Sequence, residues 1–136
     1  MKASSLSFKL AVLFVIAGMS MGMGMAISQD HSIMPAHAHL NLLGWVSLFL
    51  FGTYYERRPA LDASRLAIIQ VWGWSIGTAV LTFGVAAEHM GYDNLAPFAA
   101  VGALIVFAGV LLFAYFVFRP PTSMASGPAV GLTPAE

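Results

Sequence analysis

Four stretches of the 136-residue chain, residues 10–27, 38–55, 66–87 and 96–118, contain no Asp, Glu, Lys or Arg. Each is close to the ~20 apolar residues that a helix needs to cross a hydrocarbon core of ~30 Å. Each is fenced by charge, proline or a polar cluster: "SQDHSIMP", "ERRPALDASR", "EHMGYDN" and "RPPTSMASGP". Only 9% of the residues are charged and the mean hydropathy is +0.80, against roughly a quarter charged in water-soluble domains. Most of the surface must therefore face lipid rather than water.

The expected fold is all-α: an integral membrane four-helix up-and-down bundle, with helices at about 10–27, 36–55, 64–88 and 96–118 joined by short loops. A single transmembrane domain is expected over residues 1–120, with residues 121–136 as a flexible cytoplasmic tail. In such a bundle the second and third helices are neighbours, and so are the first and fourth. The first segment has a rival reading, because Lys2 and Lys9 precede an apolar run and Gly-Met-Ala stands before Ile27, as at a signal-peptidase site. Its length and glycine content fit a permanent packed helix better.

Orientation follows from the basic residues in short loops. Lys2, Lys9, Arg57, Arg58, Arg65 and Arg119 fall at the N-terminus, in the second loop or just after the fourth segment. Both termini are thus expected to be cytoplasmic. The opposite rim holds Asp30, His31, His37, His39, Glu88, His89 and Asp93 with Met34 and Met90, and no Lys or Arg. All four histidines fall on that rim. The six basic and six acidic residues cancel, so charge points to no nucleic-acid partner, and the absence of cysteine excludes disulfides, thiolate metal sites and covalently attached c-type haem.

Small-xxx-small pairs such as Gly18/Gly22 and Gly73/Gly77 suit close helix contact. Trp72, Trp74, Tyr54, Tyr55 and Tyr115 near the inner boundary, and Tyr92 outside, read mostly as aromatic belts. On a helix, His37, Asn41 and Gly44 share a face by their i, i+4, i+7 spacing, while His39 is turned about 200° away. Asn41 is then placed to hold a His37 ring nitrogen, as partners of metal-bound histidines do. The plain alternative is that water at a membrane surface satisfies these histidines; polar groups carried into an apolar helix argue for more than that. Met19, Met21, Met23 and Met25 offer soft Cu(I) ligands, but residues two apart diverge on a helix, so packing is the better reading for most of them.

The segment Pro35-x-His37-x-His39-Leu40-Asn41, continuing to Gly44-Trp45, resembles small four-helix bacterial membrane proteins of the cytochrome c oxidase subunit I-like kind. These are short relatives of the haem-copper oxidase and nitric oxide reductase catalytic subunit. The resemblance spans about Gly18 to Phe118. It implies a place in the bacterial inner membrane with the histidines on the periplasmic side, and haem b as cofactor with His37 or His39 as axial ligand and His89 as partner. It implies a role in electron transfer, sensing or oxidase support, in contact with a larger respiratory membrane complex or as a homo-oligomer. The chain has no counterpart of that family's further histidine trio and copper partner, so it is not a complete oxygen-reducing enzyme on its own.

Anionic haem propionates usually meet arginine, and the histidine rim has only acids. A second expectation is therefore a copper-handling protein without haem, whose donors are His31, His37, His39, His89, Met34, Met90 and Glu88. A third is a structural small subunit that packs into a larger membrane complex through its glycine faces.

Overall fold

The computed structural model describes residues 1–119, so the tail expected over 121–136 lies outside the described residues. Those residues form helices and turns, with no strand among them. Helix α1 covers Ala3–Ser28. It is followed by α2, Met34–His39, a π-helical stretch, Leu40–Ser47, and α3, Leu48–Glu56, which together run as one uninterrupted rod. A short turn α4, Pro59–Asp62, leads to α5, Arg65–His89. A 3₁₀ turn, Asp93–Leu95, leads to α6, Pro97–Phe118. Three helical spans, Ala3–Ser28, Arg65–His89 and Asp93–Phe118, are long and apolar enough to cross a membrane.

The helix ends follow local chemistry. Ser64 accepts the Ala67 N–H at 3.2 Å and starts α5 as its N-cap. Pro97 stands at the first turn of α6, where its missing N–H costs nothing. Gln29 takes a left-handed conformation, φ 57°, and ends α1, while Gly91 at φ 85° turns the chain after α5. The start of α1 is different, because its N-cap Lys2 has no side-chain acceptor. Asp62 of α4 supplies one from 58 residues away: its carboxylate accepts the Ser4 N–H at 2.7 Å and the Ser4 hydroxyl at 3.0 Å. This external cap lets the helix begin at Ala3 rather than at the apolar run from Leu10. The negative charge sits on the positive end of the helix dipole.

Adjacent helices run antiparallel. Phe8 and Phe14 of α1 lie over Gly52 and Gly44 of the rod, while Asn41 and His37 of the rod lie over Gly18 and Gly22 of α1. Between α5 and α6, Gly77 faces Ile105, Gly84 faces Ala99, Gly102 faces the Leu81 backbone and Gly109 faces Trp74. The second half of the Gly73/Gly77 pair is therefore at an interface, and Gly73 has open space around it. The first helix does not lie beside the last as a closed ring of four would have it. It packs on the rod and touches α5, while α6 packs on α5, because each glycine seam is already filled by its partner.

The core is concentrated at the end that carries the basic residues. Ala3, Leu6, Ala11, Leu48, Phe51, Tyr55, Ala67, Val71, Trp74 and Phe116 form one buried cluster. Aromatic edges hold it together: the Phe51 and Trp74 rings meet at 4.8 Å and 82°, and Phe51 and Phe113 at 4.3 Å. Buried hydrogen bonds cross it, from Tyr55 OH to Gln70 Oε1 at 2.9 Å and from Gln70 Nε2 to the Gly109 carbonyl at 3.3 Å. Tyr55 and Trp74 are thus core residues rather than belt residues, whereas Trp72, Tyr92 and Tyr115 stand exposed.

Candidate functional site

The histidine end is built from the close of α1, the start of the rod and the close of α5. Gly22 has no side chain, and the His37 ring occupies the gap: a Cβ added there would come within 3.0 Å of His37 Cε1. Gly18 makes the same room for Asn41 one turn lower. Asn41 Nδ2 donates to the His37 carbonyl at 2.9 Å and stands 3.3 and 3.4 Å from the two ring nitrogens. The i, i+4 spacing places them together, with the main bond going to the backbone rather than to the ring.

His39 and His89 share a different geometry. His39 Nδ1 lies 2.7 Å from the Pro35 carbonyl, and His89 Nδ1 lies 2.8 Å from the Val85 carbonyl. A carbonyl can only accept, so Nδ1 carries the proton in each ring. In the neutral imidazole Nε2 then holds the unshared pair. A second-sphere bond of this kind is what fixes the tautomer of metal-bound histidines. His31 makes a longer contact of 3.3 Å to the Gln29 carbonyl, in an exposed turn.

The remaining candidates are peripheral. Glu88, His89, Met34 and Met90 are exposed, and His37, His39 and Asn41 are half-buried. Among the described residues, no three His, Asp or Glu side chains come close enough to share one metal ion. In α1, Met25 is buried while Met19 and Met23 are exposed, so the four methionines do not converge. Asp30, beside the histidines, accepts the Ser32 N–H at 2.9 Å. That bond, joined by the Ser32 hydroxyl and then the nearby His31, lowers its carboxyl below the usual aspartate value.

Sequence spacing gave no sign of the π stretch that begins immediately after His39. Such widened turns occur mostly as short insertions, often at functional sites. Side-chain donors reach carbonyls along this stretch. Asn41 Nδ2 serves the His37 carbonyl, the Ser47 hydroxyl serves Leu42 at 2.8 Å, and Trp74 Nε1–H reaches across from α5 to Leu43 at 2.9 Å. Trp74→Phe keeps an aromatic six-membered ring, removes that donor and trims the side chain in the core. It should lower stability by about 1–3 kcal/mol, from the lost hydrogen bond and the space left by the missing part of the indole, measured by thermal unfolding in detergent.

Comparison with protein-family models, with curated proteins and with solved structures returns no match.

Proposed function

We propose that this chain is a four-helix membrane protein of the bacterial inner membrane, with both termini cytoplasmic, that holds haem b or a redox-active metal at its periplasmic histidine end. The observation that carries the reading is the matching ring geometry of His39 and His89, each with Nδ1–H given to a backbone carbonyl and Nε2 left with its unshared pair. His39 belongs to α2 and His89 to α5, two elements that pack together. Three span-length apolar helices support the membrane assignment. The basic residues at the opposite end support the orientation.

The donor set speaks for haem over a bare zinc ion. A macrocycle brings four nitrogens and asks the protein for one or two ligands, whereas a bare zinc ion asks for three or more. The resemblance of the Pro35–Trp45 segment to cytochrome c oxidase subunit I-like proteins points the same way. Bound here, haem would supply one-electron transfer. The chain's own part would be to present His39 and His89 in the ligating tautomer, with His37, held against α1 at Gly22 beside Asn41, as the alternative donor. The arginine-free rim is the specific observation for the second reading, copper handling without haem, with exposed Met34 and Met90 as soft donors beside the histidines.

The test is the dithionite-reduced minus oxidised visible spectrum of the purified protein, with metal analysis on the same sample. The expected result is a sharp b-type alpha band that is lost in both His39→Ala and His89→Ala. A band lost only in His37→Ala would move the ligand to the α1 face. A colourless protein with near-stoichiometric copper would replace haem by copper handling, and one with neither would leave a structural subunit of a larger complex.

A further inference from the structure

At the basic end, the first two turns of α1 and the segment joining α3 to α4 enclose an open cleft of about 410 Å³. Its volume falls within the usual range of small-ligand sites, roughly 300–1,000 Å³. Two lysines, Lys2 and Lys9, and one exposed carboxylate, Glu56, line it. Asp62 also borders it but is only 3% exposed, and both its oxygens are occupied by Ser4. The end of α1 is therefore already capped, and the groups that remain for a ligand are two cations and one anion.

The position of Lys9 narrows what that ligand is. It lies two turns into α1 and directly precedes the uncharged run of residues 10–27. A lysine at that depth extends its stem along the helix and brings its ammonium back to the headgroup level. Beside it, Phe8 forms an apolar wall of the cleft, with its ring against Phe49 at 5.2 Å. From there the exposed side chains of Val12, Leu13 and Ile16 continue along α1. A polar seat with both signs of charge thus opens onto an apolar lane.

We propose that this cleft binds an aminophospholipid, its phosphodiester between Lys2 and Lys9, its primary ammonium on Glu56 and an acyl chain along Phe8, Val12 and Ile16. The charge pattern selects this occupant over a purely anionic lipid, because Glu56 would repel a headgroup that has no cation. It also selects against a choline headgroup, whose quaternary nitrogen has no N–H to donate. The proposal rests on the reading that α1 spans a bilayer.

The test uses the full-length protein in detergent, with native mass spectrometry and thermal unfolding in the presence of phosphatidylethanolamine, phosphatidylcholine or phosphatidylglycerol of matched chains. Phosphatidylethanolamine should bind best and raise the melting temperature. The Lys2→Gln/Lys9→Gln pair should weaken it by about tenfold or more, in line with the attraction of a lysine to headgroup phosphate. Glu56→Ala, which removes the acceptor, should abolish the preference over phosphatidylcholine. Both variants should melt like the wild type without lipid, since none of the three side chains is buried. Equal binding of the three lipids, tighter binding of phosphatidylglycerol, or binding unchanged in the lysine variant would overturn the proposal. Retention in alkali-washed membranes is read separately: a protein washed off would sink the spanning assignment itself, and one retained without lipid preference would sink only the lipid site.

Discussion

Alanine at Gly102 should destabilise the protein, and alanine at Gly73 should not. The two substitutions add the same methyl group to helices of similar character, and they differ only in what that methyl meets. At Gly102 it would press into the backbone of Leu81, and at Gly84 into the backbone of Ala99, so the helices themselves must move apart. Overfilling of this kind costs about 1–3 kcal/mol, and more where no side chain can yield. At Gly73 nothing lies within 4 Å, so the better helix propensity of alanine acts alone and adds roughly 0.5–1 kcal/mol. Thermal unfolding in one detergent should place Gly73→Ala at or above the wild type, with Gly84→Ala and Gly102→Ala well below it. Equal melting temperatures for the three would mean that α5 and α6 do not meet along this seam.

The second large effect is expected at Asp62. Its two contacts are charge-assisted hydrogen bonds to Ser4, worth roughly 1.5–3 kcal/mol each way of counting. They also hold the first turn of α1 against the segment before α5. Asp62→Ala should therefore lose about 2–3 kcal/mol and fray residues 3–9, read as faster amide hydrogen exchange there than in α5. Ser4→Ala keeps the backbone donor and should cost about 1 kcal/mol. The double variant should cost less than the sum, because both changes remove the same hydroxyl–carboxylate bond. Strict additivity would mean that the bond is not made.

Much of this end-to-end arrangement is written in local pattern. Pro97, Ser64 and the polar run after Ile27 mark helix ends wherever a segment is read. The i, i+4 spacing of Gly18/Gly22 and of His37/Asn41 puts each pair on one face, and the structure brings those two faces together. Trp72 and Trp74 carry a signal that aromatic composition hides: two residues apart on a helix they point to opposite sides, so one faces outward and the other enters the core. The adjacent Tyr54 and Tyr55 do not divide in this way: Tyr55 is fully buried and Tyr54 is half-buried against the same core, its hydroxyl donating to the Phe116 carbonyl.

Other features depend on partners far along the chain and leave no local trace. Asp62 caps α1 through Ser4, 58 residues earlier in the chain. "LNLLGWVS" contains neither proline nor a glycine pair to mark a widened turn, and its Leu43 carbonyl is satisfied by an indole 31 residues away. The ring orientation of His39 and His89 is local, since each imidazole reaches the carbonyl four residues back. It is a rotamer choice that spacing alone does not decide.

The widened turns also set an angular phase. A π turn accommodates an additional residue, so the rod carries surplus chain between its packed half and its histidine turn. Excising one residue from 40–47 would let a regular helix keep this phase, whereas a straight α-helix of the full sequence would rotate Met34–His39 by about 100° relative to Leu48–Glu56. His37 would swing out of the notch at Gly22 while the aromatic core kept its place. One surplus residue thus acts like the offset between two gears on a common shaft, holding the histidines at an angle that a straight helix of this sequence would not give them.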